Sequence, residues 1–125
     1  MSGDLLSRTR RVPAHLRVYV DVLGEDGAVD FLLEFGGGVF YAAADPKGDS
    51  EIARKVGLEI AARLMPKLRE GSSRGYVRVP TGKPWIAATL RARGVTISMI
   101  ARRLHVSDVT VSGWLRPPST QGELF

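Results

Sequence analysis

Ile97-Ser98-Met99-Ile100-Ala101-Arg102-Arg103-Leu104-His105-Val106-Ser107-Asp108-Val109-Thr110-Val111-Ser112-Gly113-Trp114-Leu115-Arg116 reads as two short helices joined by a tight corner. Ile97, Ile100, Ala101 and Leu104 fall at i, i+3, i+4 and i+7, one apolar face of a first helix. Ala101 stands where two crossing helices touch and a larger side chain would part them. Val106 closes the corner, and Ser107 occupies an N-cap position, able to accept from the amide of Val109 or Thr110. Beyond it Val111, Trp114 and Leu115 turn inward at helical spacing. Asp108, Val109, Thr110, Ser112, Gly113 and Arg116 are left facing out. A helix with small, hydrogen-bonding and methyl-compatible residues on its free face suits the DNA major groove. The pattern is that of a helix-turn-helix.

Two features bear on how specific that pattern is. A helical hairpin with a polar corner produces part of it without DNA. Glu51-Ile52-Ala53-Arg54-Lys55-Val56-Gly57-Leu58 also resembles a first helix and turn. Continued in that register, however, Arg63 takes the place of Val111 and Pro66 that of Trp114, a charge in the core and a proline inside the second helix. The later stretch departs at one position only. His105 stands where a turn calls for positive φ and glycine is usual, and histidine is among the residues that tolerate it.

The charge distribution agrees with a nucleic-acid contact at that end. Residues 1–66 carry 8 Lys/Arg against 10 Asp/Glu, whereas residues 67–125 carry 10 against 3. Attraction for phosphate is therefore concentrated on the half holding the helix pair. The 125 residues suit one domain or two small ones, with 44% hydrophobic residues to supply a core. No apolar run approaches the ~20 residues of a membrane span, and nothing at the N-terminus resembles a secretory signal. The absence of cysteine excludes disulfides and thiolate-held metal and fits a cytoplasmic, nucleoid-associated protein.

On the N-terminal side of the helix pair, Thr81 to Lys83 leads into a helix from Pro84 to about Arg93 that Gly94 terminates. Gly75 to Pro80 alternates as a short strand. Glu70 to Gly75 is the clearest linker, so residues 75–117 are expected to form the DNA-binding unit and residues 13–70 a dimerisation region. Within the latter, Leu16 to Leu23 fits a strand by alternation and a helix by the spacing of Leu16, Tyr19, Val20 and Leu23. Gly24 to Gly27 breaks it, and Ala28 to Phe35 is a short helix. Gly36-Gly37-Gly38 is a turn into the strand Val39 to Ala42, without the Lys-Ser/Thr of a phosphate-binding loop. Asp45 to Gly48 is a further turn. Asp49 or Ser50 caps a helix to Val56, and another runs from Leu58 to about Leu68, limited or kinked by Pro66. Residues 1–12, with Arg8, Arg10 and Arg11, are expected to be a flexible basic tail. Pro117-Pro118 stops the last helix, and residues 118–125 are a second tail. A faint repeat with an offset of 37 residues brings Val39-Phe40 onto Tyr76-Val77, Arg54 onto Arg91 and Gly57 onto Gly94.

Gly75-Tyr76-Val77-Arg78-Val79-Pro80-Thr81-Gly82-Lys83, followed by a helix and by Ile100-Ala101-Arg102-Arg103-Leu104-His105-Val106-Ser107, resembles the Mor/C family of Mu-type phage transcription activators. The likeness covers the last third well and Phe31 to Leu64 loosely. That family joins a helix-and-strand dimerisation region to a C-terminal helix-turn-helix. The resemblance implies phage-like origin, an activator, and RNA polymerase as a further partner. It implies that Tyr76 to Val79 form the strand at the dimer seam, and that Asp108, Val109, Thr110, Ser112 and Arg116 lie on the recognition surface.

Little in the chain points to catalysis. His15 and His105 lack partners at metal-ligand spacing. Asp21, Asp26, Asp30 and Glu34 would suit a nuclease metal cluster, but the last three read more simply as the solvated face of a helix. No catalytic residue, metal or cofactor is expected. A DNA-recognition adaptor of a larger machine, such as a small terminase subunit or a transposase module, would share the same motif. The expected protein is thus a mainly α fold with short β strands (α+β), a homodimeric regulator bound to double-stranded DNA. The expected DNA contacts are Lys83, Thr96, Ser98, Arg102, Arg103, Ser107, Asp108, Val109, Thr110, Ser112, Gly113 and Arg116. The expected dimer contacts are Phe31, Phe35, Val39, Phe40, Tyr41, Tyr76, Val77 and Val79.

Overall fold

Six α-helices and one antiparallel strand pair make up the computed structural model, which describes residues 12–43, 48, 50–72 and 74–116. The chain is therefore mainly helical with a little β structure. Both tails, the turn residues Asp45 to Lys47 and the Pro117-Pro118 stop lie outside the described residues. The chain divides into two compact units, Pro13–Thr81 and a second that begins at Gly82.

In the first unit a short 3-10 turn, Ala14–Leu16, leads into α1, Arg17–Phe35. The ambiguous segment after Leu16 is helical, because Leu16, Tyr19 and Val22 are buried three residues apart. Gly24 interrupts α1 with φ 78° and ψ 169°, a conformation open to glycine alone at little cost. Helix resumes well before Ala28, so the break is one residue rather than four. In a continuous helix the 12 residues from Tyr19 to Phe31 would span ~18 Å. Their rings lie only 5.5 Å apart, so the break folds the two halves of α1 against each other. Phe31 in turn packs on Phe35 at 4.8 Å.

The glycine run after α1 is a turn held at close quarters. A Cβ on Gly36 would collide with the Leu32 carbonyl and crowd Pro80 and Thr81, while Gly37 adopts φ 86°. The strands β1, Val39–Tyr41, and β2, Tyr76–Arg78, pair antiparallel with Phe40 opposite Val77. Flanking bonds from Gly37 N to Val79 O, Val79 N to Gly38 O and Ala42 N to Gly75 O lengthen the ribbon at both ends. Of the residues related by the 37-residue offset, Phe40 and Val77 lie opposite each other, whereas Val39 faces Arg78 and Tyr41 faces Tyr76. After each strand follow a helix, a glycine at φ near 90° (Gly57 and Gly94) and another helix.

Helix α2, Glu51–Val56, is capped by Ser50, whose Oγ accepts from the Ala53 amide at 3.1 Å. Helix α3, Leu58–Glu70, runs through Pro66 and two residues past the expected end near Leu68. Ala61, Leu64, Met65 and Leu68, all buried at i, i+3, i+4 and i+7, hold both sides of the proline down. Their burial offsets the roughly 3 kcal/mol that an interior proline costs. α3 packs on both α1 and α2.

The expected linker at Glu70 to Gly75 lies inside the first unit: Glu70 is the last residue of α3, and Ser72 turns the chain toward β2. Ser72 donates from its amide to Arg69 O at 3.0 Å and from its Oγ to Tyr76 O at 3.0 Å. The unit boundary falls at Thr81/Gly82 instead. β2 belongs with the first unit because its hydrogen-bond partner is β1, a relation that composition does not reveal.

Candidate nucleic-acid interface

The second unit is built around α4, Lys83–Ala92, in which the six consecutive residues Trp85 to Leu90 are all buried. A helix buried on every side is a central one, and α4 packs on both α5, Ile97–Leu104, and α6, Asp108–Leu115. It ends at Gly94, φ 90°, where Val95 N reaches back to Leu90 O at 3.1 Å and Gly94 N to Arg91 O at 2.9 Å. These are the paired bonds that close a helix through a left-handed residue. Thr96 then caps α5, its Oγ1 accepting from Met99 N at 3.2 Å.

α5 buries Ile100, Ala101 and Leu104, while Ile97 is half-buried. Its end repeats the closure of α4. Val106 N donates to Ala101 O at 3.0 Å and His105 N to Arg102 O at 3.4 Å. His105 carries φ 58° and ψ 45° and, among the described residues, is the only non-glycine at positive φ. Ser107 caps α6, its Oγ accepting from Thr110 N at 3.1 Å, and the two hydroxyls lie 2.9 Å apart. The corner between the helices is therefore three residues long, bonded back into α5 by the His105 and Val106 amides and forward into α6 by the Ser107 hydroxyl.

On α6 only Val111 is buried. Asp108, Val109, Thr110, Ser112 and Gly113 are exposed, as are Arg116 beyond the helix and Ser98, Arg102 and Arg103 on α5. Thr96 is exposed at its cap position, and Lys83 is half-buried. Trp114 and Leu115, expected in the core, are only half-buried. The large indole reaches the margin of the unit, and tryptophan is seldom enclosed completely. From Gly82 to Arg116 the chain holds six Lys/Arg and one acid, Asp108, so this small unit is strongly cationic. Arg91 of α4 and Arg93 just beyond it are exposed too. They were absent from the expected contact set, although the charge count over this half already contained them.

The expected dimer residues divide. Phe31 and Val79 are core residues at 0% and 1% exposure, so neither offers a surface to a partner. Phe35, Phe40 and Val77 are half-buried. Val39, Tyr41 and Tyr76 stand out on one face of the ribbon at 54%, 50% and 65% exposure. Tyr41 and Tyr76, opposite each other in the register, meet edge to face at 5.3 Å. Arg69 lies 5.3 Å over the Tyr41 ring and donates to Tyr41 Oη and Ala42 O, both at 2.9 Å. A Cβ on Gly75 would strike both Arg69 and Tyr41, so this arrangement requires glycine there.

Among the described residues no three His, Asp or Glu side chains converge as metal ligands. No helix among them is long and apolar enough to cross a membrane. Compared with protein-family models, with curated proteins and with solved structures, the chain matches none.

Proposed function

We propose that the protein binds double-stranded DNA in a sequence-specific manner, with α5, the corner at His105 and α6 acting as a helix-turn-helix whose second helix enters the major groove. The observation that carries this reading is the division of α6: one buried anchor, Val111, with every other residue from Asp108 to Gly113 exposed. A helix meant only to complete a core would bury a continuous stripe of its surface. The exposed Arg102, Arg103 and Arg116 supply phosphate contacts that fix register, and the α6 side chains supply base contacts. The resemblance to the Mor/C activators supports transcription regulation, with RNA polymerase as the partner of the bound complex. The exposed Val39, Tyr41 and Tyr76 support pairing of two copies through the ribbon.

Duplex binding measured across a salt series tests the reading. Contacts to phosphate from Lys83, Arg102, Arg103 and Arg116 in each protomer give a slope of log K against log salt of about −3 to −4 per protomer. A flat response, or equal affinity for every duplex in a random library, would remove sequence-specific DNA binding. The adaptor alternative shares the groove contact and differs in its partner. It predicts capture of an ATPase or nuclease subunit, where the regulator predicts RNA polymerase.

A further inference from the structure

We propose that Val109 determines specificity by packing on the C5 methyl group of a thymine, an inference that rests on the DNA-binding reading above. Val109 is 77% exposed, the most exposed large hydrophobic side chain among the described residues. Neither packing nor helix formation accounts for a valine there, since it touches no core and a β-branched residue is a weaker helix former than alanine. Its neighbours are committed to other chemistry. Asp108 offers only acceptors when ionised, and the Thr110 hydroxyl lies 2.9 Å from Ser107 Oγ in the cap. Val109 therefore presents the one purely apolar surface on the first turn of α6.

In the major groove the thymine methyl is the one apolar substituent, and the polar features of all four bases are hydrogen-bond donors or acceptors. Valine can satisfy none of those and would only strip them of water, at a cost. Its two methyls, restricted at χ1 and borne on a helix that Ser107 caps and Val111 anchors, hold a fixed position against the groove floor. The same side chain that favours thymine therefore disfavours cytosine, guanine and adenine at that pair.

The test uses the full chain and a duplex recovered from a random-core library, remade with deoxyuridine at each thymidine in turn. Deoxyuridine keeps the O4 acceptor and the pairing edge and lacks only the methyl. Loss of one buried methyl should weaken binding about fourfold at one position in each half-site and nowhere else on the α6 footprint. Val109→Ala should bind thymidine and deoxyuridine equally at that position, and Val109→Ile should restore the difference. Uniform affinity for all deoxyuridine duplexes overturns the proposal, as does a Val109→Ala protein that keeps the fourfold loss. A duplex recovered without any deoxyuridine effect removes this inference alone. A library from which nothing is recovered removes the DNA-binding reading along with it.

Discussion

Thr89 is fully buried in α4, and among the described residues its Oγ1 has no hydrogen-bond partner. A hydroxyl stripped of water without a replacement bond costs ~1–3 kcal/mol. Thr89→Val keeps the shape and removes the cost, so urea melts should show stabilisation by ~1 kcal/mol. A loss of stability instead would reveal a partner for the hydroxyl. Tyr19 carries a second residue-scale consequence. Burial beside Phe31 pushes its phenol from 10.0 up to about 12. Below pH 10 the folded and unfolded chains both hold that proton. Between pH 10 and 12 the unfolded chain ionises and the folded chain does not, so stability falls as pH rises through that window. The slope approaches at most about 1.4 kcal/mol per pH unit. Tyr19→Phe should lose this alkaline component in denaturant melts from pH 8 to 11, and an unchanged slope in the variant would assign it elsewhere. His105 needs no such experiment to be legible: its left-handed φ follows from the spacing of two capped helices around a three-residue corner.

At the level of elements, α5 and α6 of the second unit differ in how they are held. α5 sets Ile100 at 0%, Leu104 at 3% and Ala101 at 6% exposure, whereas α6 has Val111 alone at 0%. Ile100→Ala should therefore cost ~2–5 kcal/mol. Trp114→Ala, at the margin, should lower the melting temperature by less, despite removing the larger side chain. The reverse order in thermal melts of the two variants would make Trp114 the anchor after all. α3 makes the complementary point. Pro66 reads in the sequence as a limit or kink, and the buried row from Ala61 to Leu68 carries the helix past it to Glu70. Local propensity is a weak prior that packing of an amphipathic face overrides.

For the whole molecule, the prediction concerns association. Val39, Tyr41 and Tyr76 form an exposed apolar face on a ribbon of only two strands, and an isolated pair of strands is marginal in water. Unpaired strand edges invite a partner. Sedimentation at micromolar concentration should give a dimer, and Tyr76→Glu should shift it to monomer with the melting transition kept. Wild-type monomer both with and without duplex would refute pairing through this face. What is local follows from the residues alone: the α5 periodicity, the Ser107 cap, the left-handed His105, the turn at Gly36 to Gly38 and the cationic C-terminal half. Each depends on residues within one or two turns of chain, and the physics of caps, turns and charge acts at that range. The rest was set by packing between distant segments. It made Leu16 to Leu23 helical by giving Leu16, Tyr19 and Val22 a common buried side. It moved β2 into the first unit by pairing it with β1, and drew Phe31 and Val79 into the core while leaving Tyr76 outside. Those outcomes depend on which distant segment lies opposite, and alternation or apolar content is the same whichever partner a segment finds.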